Sequence, residues 1–175
     1  MPERPDDRLR TRSGRREAPP SRVGAVWDDA RVSIIVKFFV APDDTSAALT
    51  LRTGPEEACE SLSLGNFDPL GAVVEWQSLL TDRSFEDVAE AGEPRVVAAE
   101  DGGGCFVFAI SSDLLTALAD AERRTLRDAA AAWVQLRAED GEIIDADIAD
   151  AIVGDLAALA GSARRQGRGV YCWIA

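Results

Sequence analysis

The sequence predicts an α+β domain: one small sheet, holding both the first and the last strand, packed against several helices. Three observations predict it. Apolar, β-rich runs stand at residues 33–40 and 170–174, the two ends of the folded region. Between them lie segments whose apolar residues recur with the 3.6-residue period of amphipathic helices. A hydrophobic content of 46% in 175 residues is enough for a single core.

Residues 1–31 stand apart. They are dense in Pro, Arg, Asp and Ser, show no period of 2 or 3.6, and cannot bury enough apolar surface to offset the entropy of ordering. At Val32 the character changes to SIIVKFFV, a strand bounded by the turn signal Ala41-Pro42-Asp43-Asp44. Residues 1–31 are therefore expected to be a disordered tail, or an over-extended start with Val32 encoded by an alternative start codon. Either way the single domain occupies residues 32–175.

Asp43 or Asp44 caps a short helix through Ala47, Ala48, Leu49 and Leu51 that stops near Gly54-Pro55, with an alternating strand as the competing reading. Residues 60–64, ESLSL, alternate as a short strand does. Asp68-Pro69 reads as an N-cap followed by an N1 proline, opening a helix to about Thr81. Leu70, Val73, Val74, Trp76 and Leu80 share one apolar arc of it, and Gln77 lies inside that arc and requires a buried partner. Ser84-Phe-Glu-Asp87 has capping-box form and starts a short helix ending near Gly92.

Arg95–Glu100 and Cys105–Ile110 are two β-rich runs joined by Asp101-Gly-Gly-Gly104, a hairpin signal. Ser111 or Ser112 caps the next helical stretch. Its first face is Leu114, Leu115 and Leu118, its second Leu126, Ala129, Ala130, Trp133 and Leu136, and the polar interval Asp120–Arg124 divides it into two helices. After an acidic loop, Ile148, Ile152, Leu156, Leu159 and Ala163 trace the most regular amphipathic stripe in the chain. Arg164 and Arg165 follow in its last turn, with Gly167 or Gly169 beyond it. Val170–Ile174 is almost wholly apolar, as a strand covered on both faces must be.

Several function classes lack their usual signatures. The chain contains no histidine, so Ser-His-Asp and Cys-His constellations and histidine zinc sites are absent. Glycines 102–104 lie between two strands, not ahead of a helix, and match neither phosphate-binding pattern; they read as a turn. No cofactor motif is present, and no apolar run approaches the ~18 residues of a membrane span. Cys59, Cys105 and Cys172 form no CxxC pair, which fits a reducing cytoplasm. Cys105 and Cys172 lie in apolar strand contexts as core thiols, while Cys59 sits near Glu57 and Glu60, whose charge disfavours a thiolate. Trp76, Trp133 and Trp173 fall on apolar faces and read as core; Trp27 lies in the tail.

Charge supplies the main functional lead. The formal net charge is −12, and it divides unevenly: residues 1–31 carry eight arginines and six acids, residues 32–175 eleven basic and twenty-five acidic residues. A globular part with a net charge of −14 repels phosphate backbones, which disfavours nucleic acid as a partner. The densest acidic segment holds Glu139, Asp140, Glu142, Asp145, Asp147 and Asp150. It does not follow the EF-hand template, lacking a glycine six positions into a loop that ends in Glu. Asp145 and Asp147 also have a local role at a helix N-terminus. These six are the candidate partner-binding residues, suited to a basic protein.

The runs SIIVKFFVAPDD (33–44), DPLGAVVEWQSLL (68–80) and GRGVYCWIA (167–175), in this order, resemble the YfbM-like family of small bacterial proteins. They also look like a group of small, alanine-rich actinobacterial proteins ending in Tyr-Cys-Trp strands. The resemblance implies the same α+β layout over residues 33–175 and brings no activity to carry over. The expectation is an acidic cytoplasmic protein, without catalytic chemistry, that binds another protein in an immunity-like or regulatory role. The alternatives are a small hydrolase or transferase working with carboxylates or a bound metal, and a small-molecule-binding regulator. Acids spread over a convex face favour a protein partner; acids converging in a concave pocket favour an enzyme.

Overall fold

A computed structural model describes residues 34–55, 59–65 and 67–175; the tail at residues 1–31, with Trp27, lies outside the described residues. The opening strand β1 (Val36–Ala41) pairs with β2 (Ser61–Leu64), and β3 (Arg95–Ala99) forms a hairpin with β4 (Phe106–Ala109). The C-terminal strand β5 (Gly169–Ile174) lies between these two pairs, giving the order β2-β1-β5-β4-β3 with every pairing antiparallel. Among the described residues, six helices complete the α+β domain: α1 (Asp44–Ala48), α2 (Pro69–Leu80), α3 (Phe85–Glu90), α4 (Ser112–Asp120), α5 (Arg123–Glu139) and α6 (Ala146–Arg165).

The period of two explains why β5 takes the middle. Val170, Cys172 and Ile174 face the helical layer beside Val36, Phe38, Val40 and Phe108, while Tyr171 and Trp173 join Phe39, Ala41, Val107 and Ala47 of α1 on the other face. In register, Cys172 stands between Phe38 and Phe108. Only a strand apolar at both parities can occupy a position covered on both sides.

Helix starts follow local side-chain chemistry. Asp43, Asp68, Ser84, Ser111 and Asp145 each accept a hydrogen bond from a backbone N–H of the helix they open, and Ser84 with Asp87 completes the capping box. The helical reading after Asp43 therefore holds against the strand, but α1 ends at Ala48, short of Leu51, and Leu49 is exposed. The chain then turns over Trp173, whose Nε1 donates to Leu51 O at 2.9 Å. Gly54 makes that turn possible: its φ is +73°, and a Cβ there would lie 3.3 Å from the Trp173 ring. Residues 121–122 separate α4 from α5, within the interval expected to divide them.

Helix α6 lies against β5, β1 and β2; α4 and α5 pack on α6, and α2 closes against α5 and α4. This packing buries Ile152, Leu156, Leu159 and Ala163 of α6, Ala129, Ala130 and Trp133 of α5, and Val73 and Trp76 of α2 as expected, and corrects other positions on the same three faces. On α6, Ile148 is 57% exposed and Ala149 takes the inward position. The buried arc centres on Ala149, Val153, Leu156 and Ala160, because small residues let α4 and α5 approach closely. On α5, Leu136 is exposed and Arg137 is buried. On α2, Leu70, Val74 and Leu80 are only half-buried, whereas Pro69, Ala72, Val73, Glu75, Trp76 and Gln77 are buried. At 100° per residue those six span about 200° of the helix, a width that reflects packing against more than one neighbour. Cys105 precedes β4 and is half-buried, not a core thiol.

Candidate functional site

The six predicted acids occupy one continuous corner: the end of α5, the connecting loop and the first turns of α6. The loop is held from below by its backbone, with Gly141 N–H donating to Ala138 O at 3.1 Å and Glu142 N–H to Arg137 O at 2.9 Å. Ile144 packs against the core, and its neighbour Ile143 points away and is 99% exposed. Asp145 caps α6, accepting from Asp147 N–H and Ile148 N–H through Oδ1 at 2.9 and 3.2 Å. Two of the acids have cationic neighbours: Glu142 lies 3.8 Å from Arg137 Nη1, and Asp150 lies 3.8 Å from Arg127 Nε. Among the described residues, the side chains of Glu139, Asp140 and Asp147 have no ion pair or side-chain hydrogen bond.

The corner is open to solvent. Five of the six acids are exposed and Asp150 is half-exposed. Among the described residues, no group of three or more Cys, Asp or Glu side chains is placed to hold a metal ion.

Directly beneath the corner is a polar group that the apolar-arc reading missed. Glu75 of α2 is 6% exposed; its Oε2 accepts from Trp133 Nε1 at 2.8 Å and Arg137 Nε at 2.9 Å, and Arg137 Nη2 forms an ion pair with it at 2.8 Å. Burial pushes the Glu75 carboxyl up, and Arg137 and the Trp133 indole pull it back. Gly71 leaves room for this arrangement, since a Cβ there would sit 2.6 Å from Asp68 Oδ2 and 2.8 Å from Arg137 Nη2. Arg137 thereby joins the buried carboxylate to Glu142 in the loop. Two signals for it exist in the sequence: Glu75 is the only charge between Leu70 and Leu80, and Arg137 lies four residues after Trp133. Around the pair, Phe67, Trp76 and Trp133 form an aromatic cluster, with Trp76 and Trp133 edge-on at 5.0 Å.

Gln77 has the buried partners its position requires. It accepts from Ser111 Oγ at 2.9 Å and donates to Glu93, which also pairs with Arg83. On the opposite face of the sheet, Asp44 pairs with Arg95 at 2.8 Å and accepts from the Tyr171 hydroxyl at 3.1 Å. The Arg95 hydrogen bond holds the Asp44 carboxyl below its usual range, while burial and the Asp44 carboxylate push Tyr171 up to about 12. These contacts tie α1 to β3 and β5. Cys172 is fully buried, which drives its thiol well up and leaves it inert.

No family model, curated protein or solved structure matches the chain. Among the described residues, no helix is long and apolar enough to cross a membrane.

Proposed function

We propose that this protein is a non-catalytic binding partner of a basic protein, in an immunity-like or regulatory role in the cytoplasm, engaged through the α5–α6 corner. The observation that carries the reading is Ile143. A fully exposed isoleucine stands within residues 139–150, a stretch with six acids and no base. Burying such a side chain under a partner supplies roughly 1.5–3 kcal/mol. The unpaired carboxylates of Glu139, Asp140 and Asp147, each within four residues of it along the chain, supply charge that attracts a basic surface and disfavours other partners. An apolar anchor inside a polar rim is the usual composition of an interface centre. The Arg137–Glu142 contact and the Asp145 cap hold the loop in shape before binding, which lowers the entropy lost on association.

The test uses full-length protein as bait beside two variants, Ile143→Ser and the combined Glu139→Gln/Asp140→Asn/Asp147→Asn, in extracts of the native host. A basic protein captured by the wild type and identified by mass spectrometry is then measured for binding rates. Ile143→Ser is expected to speed dissociation about tenfold or more. The charge variant is expected to slow association, with a steep fall in the wild-type rate as salt rises to physiological strength. A captured partner that is acidic, or that binds both variants with wild-type rates, overturns the reading.

A further inference from the structure

A second surface, independent of the acidic corner, is the free edge of the sheet at β2. The order β2-β1-β5-β4-β3 leaves β2 and β3 with one neighbouring strand each. The β3 edge carries a bulge between Val96 and Ala98 and opens on the charged Arg95, two features that disfavour a further strand. The β2 edge carries neither. Its pairing with β1 is regular from Ser61 to Leu64, and Ser61–Gly65 contains no charge and no proline.

Hydrogen-bond alternation along β1 fixes which groups of β2 face outwards. Ile35, just before β1, and Ala175 exchange N–H···O bonds at 2.8 and 3.1 Å, so the odd-numbered residues of β1 bond to β5. The even-numbered ones bond to β2, as Val40 N–H does to Glu60 O at 3.0 Å. Leu62 and Leu64, in register with Phe38 and Val36, thus spend their backbone groups on β1. Ser61 and Ser63 turn their N–H and C=O to the open side, where they have no backbone partner among the described residues. Side chains alternate as well: both leucines are half-buried against the core, and both serines are exposed.

We propose that this edge pairs with the same edge of a second copy, antiparallel about Ser63, joining two sheets into one. The sequence favours a copy over an unrelated strand, because Ser61-Leu62-Ser63-Leu64-Gly65 reads small–Leu–Ser–Leu–small in either direction. A two-fold axis at Ser63 sets that serine against its own copy, Ser61 against Gly65, and Leu62 against Leu64. The serine and glycine pairs are then the hydrogen-bonded ones. The Leu62–Leu64 pairs are the closer, non-bonded ones, and they carry the apolar layer across the junction. One strand pair makes a small interface, so the dimer is weak and depends on concentration. The net charge of −12 on each chain opposes its formation, and added salt relieves that repulsion.

The test follows full-length protein from micromolar to millimolar concentration by sedimentation and by amide hydrogen exchange. The mass is expected to rise towards that of a dimer, more steeply at high salt. This dependence is opposite in sign to that expected for a basic partner at the acidic corner, which tells the two surfaces apart. Over the same range, exchange at Ser61 and Ser63 is expected to slow several-fold while the amides of β3 keep their rates. Ser63→Pro removes an outward N–H that β1 does not use, and is expected to hold the folded protein monomeric. Ser63→Lys keeps the backbone whole, sets two lysines face to face across the axis, and is expected to weaken the dimer several-fold. A protein that stays monomeric at millimolar concentration overturns the proposal. So does a dimer that weakens as salt rises, that leaves Ser61 and Ser63 exchanging freely, or that forms equally well in both variants.

Discussion

Replacing Glu75 by glutamine tests the buried pair beneath the acidic corner. The substitution keeps the shape and leaves an oxygen for the Trp133 indole, but it removes the charge that holds Arg137. The guanidinium is then a cation only 7% exposed, and its remaining carboxylate neighbour is Glu142 at 3.8 Å, itself half-exposed. Removing one partner of a buried ion pair costs about 3–5 kcal/mol. Glu142 offsets part of that, so the expected loss for Glu75→Gln is about 3 kcal/mol. At roughly 2–4 °C per kcal/mol for a protein of this size, the melting temperature falls by about 10 °C.

Arg137→Met behaves differently, because the stranded Glu75 can take up a proton. With its carboxyl raised further above the unfolded value of about 4.3, the folded state binds more protons than the unfolded one. The penalty is then absent below that pH and grows as pH rises through the raised value. The double variant Glu75→Gln/Arg137→Met strands no charge, and its cost is expected to fall short of the summed single costs by 1–2 kcal/mol or so. Urea unfolding followed by circular dichroism and by tryptophan fluorescence, over a range of pH, measures all three. Additive costs, or a Glu75→Gln loss below about 1 kcal/mol, would refute the assignment of this pair as a coupled, desolvated unit.

Two further outcomes follow from the sheet. Tyr171 is the single tyrosine of the chain, so an ultraviolet pH titration reads it alone and is expected to show a midpoint near 12, moving down in Asp44→Asn. Because its folded value is raised, the associated stability is complete below pH 10 and is lost as pH rises towards 12; a midpoint at 10 would show that the hydroxyl is free. Ending the chain at Gly169 removes the strand that joins β1 to β4 and is expected to give insoluble or molten protein. Trp173→Ala alone is expected to cost about 3–5 kcal/mol in chemical denaturation, and a soluble, cooperatively folding truncation would contradict the central role of β5.

Much of the layout was legible because local chemistry decides it. The five caps, the hairpin at 101–104 and the division of α4 from α5 each depend on residues within a few positions of one another. The doubly apolar character of Val170–Ile174 likewise announced a covered strand. The inward faces of the helices were less legible. Ile148 outranks Ala149 on any hydropathy scale, yet the alanine is buried because close helix approach selects for small volume. Glu75 was hidden for the converse reason: a charge in an apolar run reads as a surface position until a partner arrives from a helix 62 residues away.

The sequence by itself determined where the helices begin, which strand is covered on both faces, and that carboxylates crowd residues 139–150, since these follow from composition and spacing along the chain. Only the tertiary structure decided that β5 separates β1 from β4, that Ile143 stands exposed among those carboxylates, and that Arg137 ties them to a buried glutamate. Each of these is a meeting of distant residues. The free energy of such meetings lies in desolvation and packing between elements, which leaves no periodic trace in either partner's local sequence.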